Sequence, residues 1–163
     1  MKYRRLAKEE LAELEQEFVR FLAANSVTAD DWQKLKAAEP EKAEGLIDIF
    51  SDIVFEKTLS GAEYLEFKTP KDLKTFHFKK EKVTLNGLKV EGPSNLDFTQ
   101  DVSPEQMLGQ LKMSTAQLKL YTAEKEYRKE REQEIFDLME RGALISRDGA
   151  LFKTLESLKK GNQ

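Results

Sequence analysis

Seven lysines fall within the stretch 68–89 of this chain: Lys68, Lys71, Lys74, Lys79, Lys80, Lys82 and Lys89. Tyr64, Phe67, Phe76, His77 and Phe78 are interleaved with them. Ammonium groups attract phosphates and carboxylates, and flat rings stack on bases or cover apolar surface, so such a segment can hold an anionic partner. Only Asp72 and Glu81 oppose the lysines, which leaves 68–89 at +5, whereas 1–67 stands at −6 and 90–163 at −2. Farther along, Tyr127, Arg128 and Arg131 offer a second basic, aromatic cluster. These ten residues, the seven lysines and the later three, form the candidate interaction surface. Two features temper the reading for nucleic acid. The lysine segment lacks arginine, the better phosphate fork, and Phe76 and Phe78 alternate with His77, so both rings share one strand face and suit a core. The bland alternative is a solvated sheet face whose lysines protect an edge from aggregation.

Other chemistry is scarce. The 163 residues contain no cysteine and one histidine, which excludes thiolate metal sites, disulfides, a cysteine nucleophile and any site needing two histidines. His77, flanked by Phe76 and Phe78, has no carboxylate partner evident along the chain and reads as an ordinary strand residue. Asp48, Asp52 and Glu56 recur at i, i+4 and i+8 on one helix face, a geometry hard cations accept, but nothing in the sequence completes a site and a solvated stripe is expected. No phosphate-binding glycine loop, nucleophile elbow or dinucleotide motif is present. The sequence therefore nominates no catalytic, cofactor-binding or metal-ligating residues and no cofactor, and leans away from an enzyme.

The elements that must position the basic residues follow from periodicity. Residues 1–61 read as a three-helix unit. Leu11, Leu14, Phe18, Phe21 and Leu22 form one stripe; Thr28 with Asp31 caps a second helix; Pro40 opens a third, whose Leu46, Ile47, Ile49, Phe50, Ile53, Val54 and Phe55 surround it and predict a central buried helix. From 62 to 92 the period changes to two, predicting an antiparallel sheet. Asn86-Gly87 between alternating runs predicts a two-residue hairpin turn pairing Leu85 with Leu88 and Val83 with Val90. A loop over 93–102 leads to Ser103-Pro104-Glu105-Gln106, a helix start. A long helix is expected over 103–141, either continuous or broken near 114, projecting through the charged stretch 122–134. Asp148 then caps a short helix over 148–160. The fold class is thus α+β in a single domain over 1–163.

The segments Met1-Lys2-Tyr3-Arg4-Arg5-Leu6, Thr28-Ala29-Asp30-Asp31-Trp32, Phe50-Ser51-Asp52-Ile53-Val54-Phe55-Glu56-Lys57, Ser103-Pro104-Glu105-Gln106-Met107-Leu108 and Gly142-Ala143-Leu144-Ile145-Ser146 resemble an uncharacterised bacterial protein family, a domain of unknown function, over nearly the whole chain. That resemblance implies no activity or site. The basic opening is followed by no apolar stretch, and no run approaches the ~20 residues of a membrane span, so a cytoplasmic protein without membrane attachment is expected. The function expected is that of a non-enzymatic interaction or adaptor protein contacting an acidic protein partner. Nucleic acid is the alternative partner, homodimerisation through the 103–141 helix a further one, and an enzyme restricted to carboxylate and lysine chemistry the remote one. Internal neutralisation of the lysines by the acidic N-terminal helices would remove the surface altogether.

Overall fold

The computed structural model describes residues 1–161 and divides into two compact units, Met1–Ser60 and the remainder from Gly61. The first contains α1 (Lys8–Glu13), α2 (Glu15–Ala24), α3 (Ala29–Ala38) and most of α4 (Pro40–Gly61). The helix expected over the first stripe is thus two, with a break at Leu14, whose φ −105° and ψ 24° leave the helical region. Thr28 caps α3 as its sequence requires: the Asp31 amide donates to Thr28 Oγ1 and the Thr28 amide to Asp31 Oδ2, both at 3.1 Å. Leu6, Phe18, Leu22 and Phe50 make the core, with Trp32, Leu46 and Val54 packed on it. Phe18 meets Trp32 edge-on at 5.2 Å and Phe50 at 5.0 Å. Helix α4 is not buried all round, since Ile49 and Ile53 are 55% and 51% exposed.

The polar stripe of α4 is not merely solvated. Residues 2–6 lie along it as a strap. The amides of Lys2 and Tyr3 donate to Asp52 at 2.7 and 3.1 Å, Arg5 forks Asp48 at 2.6 and 3.2 Å, and the Tyr3 hydroxyl donates to Glu56 at 2.5 Å. The Leu6 amide reaches the buried Ser51 hydroxyl at 2.9 Å. The acids at i, i+4 and i+8 therefore bind this chain's own N-terminal segment. Among the described residues no three His, Cys, Asp or Glu side chains are placed to hold a metal ion, and no helix is long and apolar enough to cross a membrane.

The second unit is built on an antiparallel sheet in the order β4-β3-β2-β1-β5, so the α+β class holds. Its strands are β1 (Tyr64–Thr69), β2 (Asp72–Phe78), β3 (Lys82–Glu91), β4 (Gln117–Glu126) and β5 (Leu144–Ser146); α5 (Pro104–Met113), α6 (Arg131–Glu140) and α7 (Ala150–Gly161) complete it. One sheet face is sealed by Leu73, Leu88 and Val90 packing on Leu96, Phe98, Met107, Leu151 and Leu155. The unit therefore draws that core from α5, α7 and the 92–103 loop.

Two expectations fail here. Asn86-Gly87 is not a turn. It lies mid-β3, where Asn86 pairs with Thr75 and Thr122, and Gly87 with Lys74 and Tyr121. The reversal falls instead at 79–81, closed by the Lys79 amide donating to the Lys82 carbonyl at 2.9 Å. Asn86 is a buried hub: its Nδ2 donates to Glu156 at 2.6 Å, and its Oδ1 lies 3.0 Å from the Thr122 hydroxyl. Buried polar side chains need such partners, and they select a strand interior here over the turn that composition suggests. The long helix expected over 103–141 does not exist either. Ser103 caps α5 as expected, but the helix stops at Met113, and Gln117–Glu126 is a strand paired along its whole length with β3. Helix-forming Glu, Lys and Ala in β4 yield to that pairing, as intrinsic propensity commonly does to tertiary context. Its Leu118 and Leu120 sit on the sealed side, opposite Val90 and Leu88. Pairing of two copies through a long 103–141 helix is accordingly not available to this fold.

Candidate functional site

The opposite sheet face stays partly open, and the strand registers lay its residues out in rows. Phe67, Lys74, Gly87 and Tyr121 form one row from β1 to β4; Thr69, Asp72, Lys89 and Lys119 form the next; Leu65, Phe76, Leu85 and Ala123 flank the first on its other side. Two adjoining concavities share Lys74. One, of about 490 Å³, lies between the sheet and α6. Phe67, Phe76, Phe78, Val83, Leu85 and Leu138 line its apolar part, while Lys125, Arg128, Lys129, Arg141, Glu134 and Asp137 supply charge. The other, of about 580 Å³, is lined by Thr69, Lys71, Asp72, Lys74, Lys89, Lys119 and Tyr121. A larger concavity of about 680 Å³, beside the 93–100 loop and the end of α5, has no ionisable side chain in its lining.

At the junction stands a locked cluster. The Tyr121 ring lies over Gly87, where a Cβ would overlap the ring itself. Gly87 is thus needed for a close approach, and its backbone is not in the left-handed region. The Tyr121 hydroxyl donates to Asp72 Oδ1 at 2.5 Å and accepts from Lys74 Nζ at 2.9 Å, while Lys74 also donates to Asp72 Oδ2 at 2.5 Å. Burial pushes the Asp72 carboxyl up, but hydrogen bonds from Lys74 and Tyr121 outweigh it and hold it below the usual range. Burial pulls Lys74 down, and its hydrogen bonds to Asp72 and Tyr121 raise it above its ordinary value. Burial, then the Asp72 bond, raises the Tyr121 phenol. At neutral pH the cluster is therefore a carboxylate, an ammonium and a neutral phenol, without a group poised to exchange protons.

The charge around it is lopsided. Eight cationic side chains line the two concavities against three carboxylates. The carboxylates are taken: Asp72 by Lys74, Glu134 by Lys125 at 3.2 Å, Asp137 by Lys129 at 2.6 Å. Burial raises Glu134, but the Arg128 amide, Lys125 and the Lys129 amide hold it below the usual carboxylate range. Lys71, Lys89, Lys119, Arg128 and Arg141 form no ion pair with any described residue. This surplus sits on one face of a chain whose net charge is −3.

The structure sorts the ten sequence-nominated residues differently from their order in the chain. Lys71, Lys74, Lys89 and Arg128 reach this face. Lys68 and Lys82 belong to the other sheet face and pair with Glu66 at 3.6 Å and Glu124 at 3.2 Å. Lys79 and Lys80 occupy the exposed 79–81 connection. Tyr127 is an anchor: its ring stacks on Phe78, and its hydroxyl lies 2.6 and 3.0 Å from the carbonyls of Lys79 and Lys82. Arg131 likewise ties the carbonyls of Ala62 and Phe78. His77 does have a carboxylate, Glu63, at 2.9 Å, and stacks on Tyr64. Lys119, Tyr121, Lys125, Lys129 and Arg141 are missing from the ten because a helix over 103–141 places none of them on the sheet, whereas β4 and α6 bring them to it. The alternation Leu118-Lys119-Leu120-Tyr121 was the signal for a strand that would have found the first two. In the first unit, Asp48, Glu56 and Glu10 pair with Arg5, Lys2 and Arg4 of the strap.

Nothing among curated proteins and nothing among solved structures matches this chain. The resemblance to a domain of unknown function does hold over nearly its whole length: residues 1–160 match the model of a family of unknown function (DUF6495), and the chain belongs to that family.

Proposed function

We propose that this protein is a non-enzymatic interaction protein whose second unit docks an acidic segment of a partner protein on the open sheet face. One observation carries the reading: eight cations against three engaged carboxylates on a single concave face of a net-acidic chain. Charge of one sign gathered in a cleft raises the local concentration of oppositely charged partners. The adjoining apolar wall, with Phe67, Phe76 and Leu85 only half-buried, suits a segment that alternates acidic and apolar side chains. Aromatic and aliphatic anchors in such pockets commonly supply most of the binding energy, while rim charges set rate and specificity.

The lysines of 68–89 divide between two sheet faces and two connections, which disfavours a continuous nucleic-acid track. The test is capture from a cytoplasmic extract with tagged wild type and with Lys119→Glu/Arg128→Glu/Arg141→Glu, each with and without nuclease. A protein retained by wild type after nuclease and lost from the variant is the expected result. Nucleic acid as the retained species, or identical capture by both proteins, would refute the reading.

A further inference from the structure

We propose, building on the docking reading above, that the pocket lined by Lys71, Lys74, Lys89, Lys119 and Tyr121 takes a phosphate group carried on a side chain of the acidic partner. Lys89 and Lys119 stand directly opposite each other in the β3–β4 register, on the same face. Like charges so placed oppose sheet pairing. No described carboxylate forms an ion pair with either; the Asp72 carboxylate feels the Lys89 charge at longer range, but its oxygens are bound to Tyr121 and Lys74. Lys71 is fixed by two carbonyls, Ser94 O at 2.8 Å and Leu96 O at 2.5 Å. These orient its ammonium without cancelling its charge. Asp72, the pocket's sole carboxylate, has one oxygen bound to Tyr121 and the other to Lys74. Tyr121 is itself locked over Gly87. The result is a preorganised pocket with a surplus of three positive charges.

The kind of cation narrows the ligand. A planar carboxylate is met best by the two-pronged arginine fork, and this pocket holds none. Ammonium groups are point charges that can approach a tetrahedral anion from several sides. A phosphomonoester carries about −1.5 to −2 at pH 7, with a second pKa near 6, and presents three acceptor oxygens. It matches both the surplus and the arrangement better than the single charge of Asp or Glu. The neighbouring apolar cleft, joined through Lys74, then receives the flanking residues of the same segment, which favours a phosphorylated side chain over a free phosphate ester.

Fluorescence anisotropy with two labelled peptides tests this. Both alternate Glu with Leu or Phe, and one carries a central phosphoserine in place of serine. The phosphopeptide is expected to bind at least about tenfold tighter at pH 7.5, to lose much of that preference at pH 5.5 as the phosphate gains a proton, and to lose it in Lys89→Gln/Lys119→Gln. Equal binding of the two peptides overturns the phosphate site while leaving the docking reading standing. Free O-phosphoserine competing as well as the phosphopeptide overturns the side-chain source. Failure of both peptides to bind refutes the docking reading. The pocket is then judged alone by titrating inorganic phosphate and following amide shifts in β3 and β4. Saturable shifts around Lys89 and Lys119 beyond those given by sodium chloride at equal ionic strength support the pocket, and their absence overturns it.

Discussion

Replacing Gly87 by alanine should destabilise the second unit, and only because of Tyr121. The strand backbone at Gly87 is not left-handed, so alanine there carries no φ penalty and, considered alone, stabilises by about 0.5–1 kcal/mol through reduced freedom of the unfolded chain. Against that gain, the new methyl occupies the space of the Tyr121 ring. The ring must swing away, breaking the hydrogen bonds that join it to Asp72 and Lys74. Overpacking of this kind costs about 1–3 kcal/mol. A charge-assisted bond is worth up to roughly 1.5–3 kcal/mol, but the ring is half-buried and water replaces part of that loss. The expected net cost is about 1–3 kcal/mol, read as a lower urea midpoint at unchanged slope. The double-mutant cycle is the sharper assay. In a Tyr121→Ala background the obstacle is gone, so Gly87→Ala should become neutral or stabilising by up to about 1 kcal/mol, a coupling of the size seen for residues in contact. Were Gly87 instead the positive-φ residue of a hairpin turn, alanine would cost the same in both backgrounds. That outcome, or no cost in wild type, would refute the reasoning.

Further predictions concern titration and packing. Glu10, Asp48 and Glu56 are held below their ordinary range chiefly by hydrogen bonds from Arg4, Arg5 and Tyr3 respectively. Carboxylates depressed on folding stabilise fully above their unfolded values, about 3.9 for Asp and 4.3 for Glu, and lose that contribution as pH falls through the folded ones. The urea midpoint of the first unit should therefore hold level from pH 7 to 5 and fall below about pH 4, less steeply in Asp48→Asn/Glu56→Gln; an equally steep fall in that variant would exclude the strap as the cause. All four tyrosines are raised, burial being the first cause in each, and Tyr3 is pushed up to about 12. Ultraviolet titration of the native protein should thus show little phenolate at pH 10, against half-ionisation in urea, and Tyr3→Phe should remove the last native step. Asn86→Ala removes the buried amide that bonds both Glu156 and the Thr122 hydroxyl, leaving Glu156 its ion pair with Lys159 at 3.8 Å, and should cost about 1–3 kcal/mol in urea unfolding; an unchanged midpoint would show that Asn86 is not the buried hub described.

Local signals in the sequence were reliable where a few neighbouring residues decide the outcome. The Thr28 and Ser103 caps, the aromatic core of Phe18, Trp32 and Phe50, and the change of period at residue 62 all reappear in the structure. What could not be read depends on partners distant in sequence. Asn86-Gly87 satisfies the composition of a turn, and only Glu156, seventy residues on, and Tyr121 reveal why that pair sits inside a strand. The segment 117–126 has helix-forming residues and strand alternation together, and the edge of β3 decides between them. That error concealed half of the basic face, since Lys119, Lys125, Lys129 and Arg141 reach it only once β4 and α6 fold against the sheet. The stripe Asp48, Asp52 and Glu56 was found by periodicity, but its use by the N-terminal strap lies about fifty residues back along the chain.

Anisotropy of an unphosphorylated labelled peptide alternating Glu with Leu or Phe, titrated with wild type and with Lys119→Glu/Arg128→Glu/Arg141→Glu at 50 and 300 mM salt, tests the docking face most directly. The account predicts saturable binding to wild type, weakened at the higher salt because the rim charges are screened, and lost in the variant even at 50 mM. Undiminished binding to the variant, or a wild-type protein that ignores this peptide and takes up an RNA oligonucleotide of equal charge, would contradict it.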